Sequence, residues 1–366
     1  MRLKHLELEH FKNYNTLSFD FGEEPLTILT GNNGQGKTNF LEAIVLLALS
    51  KSFSGLPIRD MVSWPSSLTA SGPGGDGGEY FRITGLVETK DGEQELQVFC
   101  GRAAQYPKTL KINGVKTKPS DYVGHLKIVL FTPRDINLLE LSPQFRRRYL
   151  NLMICQIDRQ YLKHLSHYQV YLKHRNKLLG QIGEGKAKQA ELDHWDEKLA
   201  EHGQYLLEKR REVFDQLNQQ LGQCYEKISG EQVELSLRWA KEWSESLLEY
   251  LRHKRQRDLE AGTTCGGPHR EDFSFQMNGR NLTEFGSRGE FRSSILALKL
   301  SELELIRQVS GESPVILFDD VLSELDSDRQ KNLLALFKSD QVIITATHTE
   351  KGMPGARYRV ESGRVW

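Results

Sequence analysis

Cysteine is scarce and scattered in this sequence. Cys100, Cys155, Cys224 and Cys265 stand far apart, with no CxxC pair and no histidine at metal-ligand spacing. That argues against a disulfide framework or a cysteine-based zinc site, and predicts free thiols in a reducing compartment. Excess charge is missing too: Lys+Arg 49 against Asp+Glu 49 sums to zero, so any polyanion-binding surface must be local. The longest apolar run, Ile44 to Leu49, falls far short of the roughly 20 residues a membrane span needs. The opening MRLKHLELEHF alternates like a strand and lacks the apolar block of a signal peptide. A soluble, cytoplasmic chain without a membrane partner is expected. Proline is nearly absent from residues 143–257, where only Pro143 occurs, and no segment repeats.

What is present sorts into two textures. Leu3, Leu6 and Leu8, then Leu17, Phe19 and Phe21, alternate as two strands around the turn KNYN. LTILT (26–30) reads as a buried strand ending in glycine, and residues 39–49 as a buried helix. SGPGGDGG (71–78) is expected to be a mobile hairpin loop. Residues 79–131 hold more alternating segments and close on KIVLF. From 143 to 257, Leu, Lys, Glu, Gln and Arg recur at helical spacing, with a break at GQIGEGK (180–186). Heptads are not sustained, which favours a compact lobe over a long coiled coil. SPVILFDD (313–320) and QVIITATH (341–348) bring back buried strands. The pattern predicts an α/β chain in which residues 1–133 and 265–366 make one sheet-based head. Residues 134–264 form a helical lobe inserted into it.

The strongest motif is GNNGQGKT. Gly31, Asn32, Asn33, Gly34, Gln35, Gly36, Lys37 and Thr38 fit GxxxxGK[ST], with Asn39 following, between an apolar strand and a helix. Glycines let backbone amides wrap a β-phosphate, Lys37 reaches the β- and γ-phosphates, and the Thr38 hydroxyl takes Mg²⁺. ATP or GTP is therefore the expected ligand. VILFDD places Asp319 at the end of a buried strand, where a carboxylate can hold Mg²⁺ through water. Asp320 then stands where it can orient or deprotonate the attacking water. His348, ending the next strand, is a candidate γ-phosphate contact. A second anion seat is expected at FGSRGEFRSSILALKL (285–300), where Gly286 and Gly289 precede a helix read from Ser294 to Leu305 and leave backbone amides uncovered.

The order of these parts resembles the ATP-binding-cassette ATPase head: a phosphate loop, then SRGE, then FDDVLSELD, then TH. The resemblance implies a P-loop head with a mixed sheet and antiparallel strands. It assigns Ser287, Arg288, Gly289 and Glu290 to the signature motif, Ser323 to Asp326 to the D-loop, and His348 to the switch position. It further implies that the signature motif caps the γ-phosphate of a second copy, so that two heads close around two ATP. Within that class, LEHFKNY, GNNGQGKTNFLEAI, RRRYLN, GPHREDF and DDVLSELDSDRQ are similar to the RecF family of recombination mediators. What this implies is an ATP-driven homodimer on double-stranded DNA or single-strand/double-strand junctions. Weak, switch-like hydrolysis would release it, and mediator proteins of the RecR and RecO type would be partners in recombinase loading, SOS induction and replication restart. The chain departs from the family at Arg134, Leu141 and Asn151. It reads KSFSG after the first helix and has no clear Q-loop glutamine, for which Asp135 is the candidate.

Two basic runs are candidate DNA contacts. Arg146, Arg147 and Arg148 follow an expected N-cap, Ser142, and Pro143 at the first helical position, where positive charge opposes the helix dipole. Either DNA phosphate or carboxylates of the same fold would balance them. Arg252, Lys254, Arg255 and Arg257 make the second run. Neither carries a base-reading motif, so binding by charge and shape with strong salt dependence is expected. Three other readings compete: a transport-coupled ATPase, a chromosome-organising coiled-coil ATPase, and a nucleotide-binding scaffold without useful hydrolysis. The helical insertion argues against the first and its short length against the second.

Overall fold

Contacts divide the chain into two units: Met1–Asp135 with Lys227–Ser229 and Lys299–Trp366, and Ile136–Glu226 with Gly230–Leu298. The computed structural model describes residues 1–63, 79–103, 105, 107–322, 325, 327–337, 339–347 and 355–366; the loop expected at 71–78 lies outside them. Among the described residues no helix is long and apolar enough to cross a membrane. No disulfide joins the four cysteines.

The first unit holds two six-stranded sheets. In one, the strand Arg2–Phe11 pairs antiparallel with Tyr14–Asp20 and with Tyr80–Thr89, and the meander continues through Gly92–Gly101, Thr109–Ile112 and Val115–Thr117. Alternation does the work here: Leu3, Leu6, Leu8 and Phe11 are all buried. The other sheet is parallel at its centre, in the order Arg364–Val365, Ala356–Glu361, Leu26–Thr30, Val342–Ala346, Val315–Asp319, Ile128–Phe131. Its inner strands are continuous apolar runs, as burial on both faces requires, and every residue of Val315–Asp319 is buried. The helix Lys37–Leu49 packs against both sheets and is apolar nearly all round. Gly85 lets it approach, since a Cβ there would stand 2.3 Å from Leu47 Cδ2.

The second unit carries the long helices Pro143–Ile157, Arg159–Gly183 and Leu192–Ser229, the last ending just inside the first unit's share. The expected break falls inside GQIGEGK, after Gly183, and an earlier one at Asp158 separates the first two helices. The boundary expected at 265 needs correction, because residues 265–298 cluster with this helical unit. Two interactions hold them there: Phe273–Met277 pairs antiparallel with Leu235–Trp239, and Glu271 forms a buried ion pair with Arg210. The lobe is therefore not purely helical.

His269 offers a test of this unit's packing. Its Nε2 lies 3.0 Å from the Thr264 carbonyl, so Nε2 carries the hydrogen and Nδ1 accepts from the Tyr168 hydroxyl at 2.6 Å. Burial pushes its pKa down to about 4, with the Thr264 carbonyl pulling the other way. Below the ordinary value of 6.5 the unfolded chain takes a proton that the folded chain refuses until about 4. Stability is thus intact above pH 6.5 and falls by roughly 3 kcal/mol as pH drops to 4. Urea unfolding of wild type and His269→Gln across that range should show the wild type's steeper decline; parallel curves would refute it.

Candidate nucleotide site and flanking loops

The phosphate loop runs from the buried strand Leu26–Thr30 into the helix that begins at Lys37. Gly31 and Gly36 have φ of 152° and 120°, and both are tightly seated. A Cβ on Gly31 would meet the Val360 carbonyl oxygen at 2.3 Å, and one on Gly36 would meet Asn13 Nδ2 at 2.5 Å. The N-cap is Gly36, so no side chain caps the helix start and its first amides are left for another acceptor. Side chains hold the loop from outside. Asn13 Nδ2 donates to the Gln35 carbonyl at 2.9 Å and Asn13 Oδ1 accepts from Asn39 Nδ2 at 2.7 Å, while the Tyr14 hydroxyl donates to the Gly36 carbonyl at 3.1 Å. From the C-terminal hairpin, the Gly363 amide reaches the Gln35 carbonyl and the Ser362 amide reaches Gln35 Oε1 at 2.8 Å. Beneath them Glu42, buried in the helix, takes hydrogen bonds from Lys12, Ser52 and Ser54. Burial opposes its ionisation, but those donors outweigh it and hold the carboxyl below the ordinary range.

Lys37 folds over the loop. Its Nζ donates to the carbonyls of Gly31 at 2.6 Å and Asn32 at 3.0 Å. Burial lowers its pKa, and the carboxylates of Asp320 and Asp319 oppose that shift. Thr38 Oγ1 donates to Asp319 Oδ1 at 2.8 Å. The strand ending in Asp319 is not adjacent to the phosphate-loop strand. Val342–Ala346 lies between, and Thr345 on it donates to the same Oδ1 at 3.0 Å. Burial raises the pKa of Asp319 while the two threonine hydroxyls pull it back. A hydroxyl and a carboxylate oxygen meeting at the mouth of a glycine cradle are an oxygen donor set suited to Mg²⁺. Asp320 follows with φ 56°, and its amide bonds to the carbonyl and Oγ1 of Thr345. A polar cleft of about 400 Å³ opens beside Gly31, lined by Asn32, Gln35, Thr347, Arg359 and Glu361 among others.

The described residues thus bring Gly31, Lys37, Thr38, Asp319 and Asp320 together, with Asn32 and Gln35 at the cleft. Ser323, Asp326 and His348 lie outside the described residues. Asp135 accepts the Thr132 amide at 2.7 Å and faces Lys299; burial raises its pKa and Lys299 opposes the rise. Its carboxylate is engaged within the fold. Sequence reasoning missed Asn13, Tyr14 and Thr345, whose roles depend on which segments become neighbours.

In the second unit, Ser287–Glu290 opens the helix Arg288–Ser310, which starts earlier than the expected Ser294. Ser287 Oγ accepts from the Glu290 amide at 3.3 Å, and Glu290 Oε2 accepts from the Ser287 amide at 2.7 Å. The expectation of uncovered amides therefore fails at these two positions: a reciprocal capping box satisfies both. For the first basic run the fold supplies the carboxylate and carbonyl partners that were one of the two alternatives. Arg146 makes a two-pronged pair with Asp272 (2.6 and 3.1 Å) and also donates to the carbonyls of Leu138 and Leu141. Arg147 donates to the Glu271 carbonyl at 2.8 Å, and Arg148 also has interactions within the fold. The helix-start charge is thus met largely by the fold itself. Pro143 stands at the first helical position, but the Ser142 side chain makes no cap hydrogen bond. In the second run Arg255 pairs with Asp193 and Asp196, and Arg252 with Glu197 at 3.4 Å. Among the described residues, Lys254 and Arg257 are exposed and have no carboxylate partner.

A glycine cradle between a parallel strand and a buried helix, closed by Asp319 two strands away, defines an ATP-binding-cassette or SMC-type ATPase head. The comparisons agree: residues 2–360 match the family model for the RecF/RecN/SMC N-terminal domain. The Smc head domain of Pyrococcus furiosus shares the fold at TM-score 0.55 and 18% identity, covering 99% of this chain and 94% of that one. Similarity is much higher to the "DNA replication and repair protein RecF" of Chloroflexus aurantiacus, 37% identical with all of both chains covered. It is also high to the solved recombination mediator protein RecF-ATP in the RecFOR pathway, with TM-score 0.88 and 33% identity, covering 99% of this chain and 96% of that one. The chain belongs to the RecF family.

Proposed function

We propose that this chain is an ATP-dependent DNA clamp of recombinational repair. As a RecF family member it has an ATP-binding role in DNA repair and recombination mediation, and its class is that of ATP-hydrolysing heads. The observation that carries the reading is the pairing of Thr38 with Asp319 at 2.8 Å below the glycine loop. In this reading Gly31 to Asn39 hold the triphosphate, Lys37 neutralises its charge, and Thr38 and Asp319 hold Mg²⁺. The metal supplies charge neutralisation at the phosphates when bound. Asp320, one methylene shorter than glutamate, orients water poorly, which suits slow, DNA-stimulated switching. Ser287 to Glu290 of one copy cap the γ-phosphate of another, with Ser323, Asp326 and His348 completing the contact. Double-stranded DNA, including single-strand/double-strand junctions, is then held by local positive charge, for which Lys254 and Arg257 are better candidates than Arg146. RecR- and RecO-type proteins are its partners, and it acts in the cytoplasm at the nucleoid.

Light scattering without nucleotide, with ADP, and with ATP and Mg²⁺ tests this, with and without duplex DNA. The wild type should double in mass only with ATP. Ser287→Arg should stay monomeric while still binding ATP, and should lose ATP-dependent DNA retention. A monomer under every condition would sink the clamp.

A further inference from the structure

The helices Arg159–Gly183 and Leu192–Ser229 meet along a seam of rings where a helical hairpin usually has aliphatic side chains. His164, His167, Tyr171 and His174 recur at heptad-like spacing on the first helix, and Trp195, His202 and Tyr205 face them from the second. Stacking fixes the ring planes. His164 lies on Tyr205 with centroids 4.2 Å apart and an interplanar angle of 16°, and His202 lies on Tyr171 at 5.4 Å and 11°. Between these clamped rings, Nδ1 of His164 is 3.1 Å from Nδ1 of His202. Nothing in the nucleotide chemistry uses this pair.

We propose that His164 and His202 form a two-imidazole site for a divalent transition-metal ion of the zinc, nickel or copper type. Two nitrogens bound to one such ion at about 2.0–2.1 Å stand roughly 2.9–3.4 Å apart for ligand angles between square-planar and tetrahedral. The observed separation falls inside that window without any movement of the helices. In the metal-free pair only one of the two facing nitrogens can carry hydrogen, and that hydrogen must leave for both nitrogens to bind one ion. His202 is buried and His164 half-buried, which leaves one side open for solvent ligands. Among the described residues no three histidine, cysteine or carboxylate side chains converge on one point, so the chain supplies two ligands and water the others.

The charges around the pair are mixed. Burial lowers the pKa of both rings, His167 adds to this at each, and Lys198 adds to it at His202. Glu201 acts on both rings, and Asp158 on His164, in the opposite sense. The imidazoles are therefore held neutral with lone pairs available, as a metal requires, and the two carboxylates favour a bound cation. The site belongs to the helical hairpin and does not depend on the reading of the nucleotide site.

Calorimetric titration of the full nucleotide-free chain with Zn²⁺, Ni²⁺ and Cu²⁺ at neutral pH, in chelator-free buffer, tests the pair. His164→Ala and His202→Gln should each weaken one site by more than about a hundredfold, beyond the roughly 10–100-fold that loss of an outer-shell partner costs. His174→Ala, in the same seam but stacked on Trp195, should leave that site unchanged. Because the ligands are paired only in the folded hairpin, saturating Zn²⁺ should also raise the unfolding midpoint of the wild type but not of His202→Gln. Equal metal affinity in wild type and a folded His202→Gln would overturn the proposal, as would the absence of any metal-dependent shift in the wild-type midpoint.

Discussion

Replacing Lys37 with alanine should weaken ATP binding about a hundredfold, close to 3 kcal/mol, because charge-assisted hydrogen bonds to phosphate are lost from a partly desolvated site. The fold should survive the change. Among the described residues, Lys37 Nζ bonds only to carbonyls of its own loop, at Gly31 and Asn32. The loop's shape is held instead by Asn13, Tyr14, Ser362 and Gly363. The variant does remove the cation whose field Asp319 feels, so burial would push that carboxyl further above its ordinary value. Metal affinity should then fall together with nucleotide affinity, most at low pH. A fluorescent-nucleotide titration with and without Mg²⁺, beside a thermal melt, separates these effects. ATP affinity within about threefold of wild type would mean that the loop does not present Lys37 to phosphate.

How much of this was legible in the sequence depends on how local each signal is. GNNGQGKT could be read directly because strand, loop and helix are contiguous, and the structure places Gly31, Lys37 and Thr38 as that context demands. The buried strands around VILFDD and VIITAT were equally readable as apolar runs. Two-residue hairpins were legible in principle as well. Asn113-Gly114 and Asn278-Gly279 both take positive φ, the mark of the turns that Asn-Gly favours. What escaped depends on distant partners. Nothing near Arg146 announces Asp272, 126 positions away, so the sequence left DNA phosphate and a carboxylate of the fold as equal alternatives for its partner. Thr345 gains a role only because its strand lies between those bearing the phosphate loop and Asp319. The boundary at 265 was misplaced for the same reason: a composition change marks where texture shifts, whereas pairing of Phe273–Met277 with Leu235–Trp239 decides which unit a segment joins.

Arg175→Met should destabilise the second unit by about 3–5 kcal/mol, the cost of removing one partner from a buried charge network. Arg175 is fully buried; its Nε donates to Asp196 at 2.6 Å and one terminal nitrogen donates to Asp258 and Thr264, each at 2.7 Å. These contacts tie the helix Arg159–Gly183 to the helices Leu192–Ser229 and Arg255–Ala261 and to the loop that follows. Without the guanidinium, Asp196 keeps Arg255 at 2.5 Å, but among the described residues the Asp258 carboxylate keeps only the Cys265 amide at 2.9 Å. Asp258 therefore becomes the least compensated charge. Adding Asp258→Asn, which removes that charge while retaining its acceptor for Cys265, should recover a large part of the loss. Urea unfolding of the single and double variants gives the coupling directly. A loss below about 1 kcal/mol for Arg175→Met would show that water enters the site and solvates the two carboxylates, as it does for surface pairs. The predicted ordering, with the double variant more stable than the single one, follows because a buried charge left without its partner costs more than the pair itself contributes.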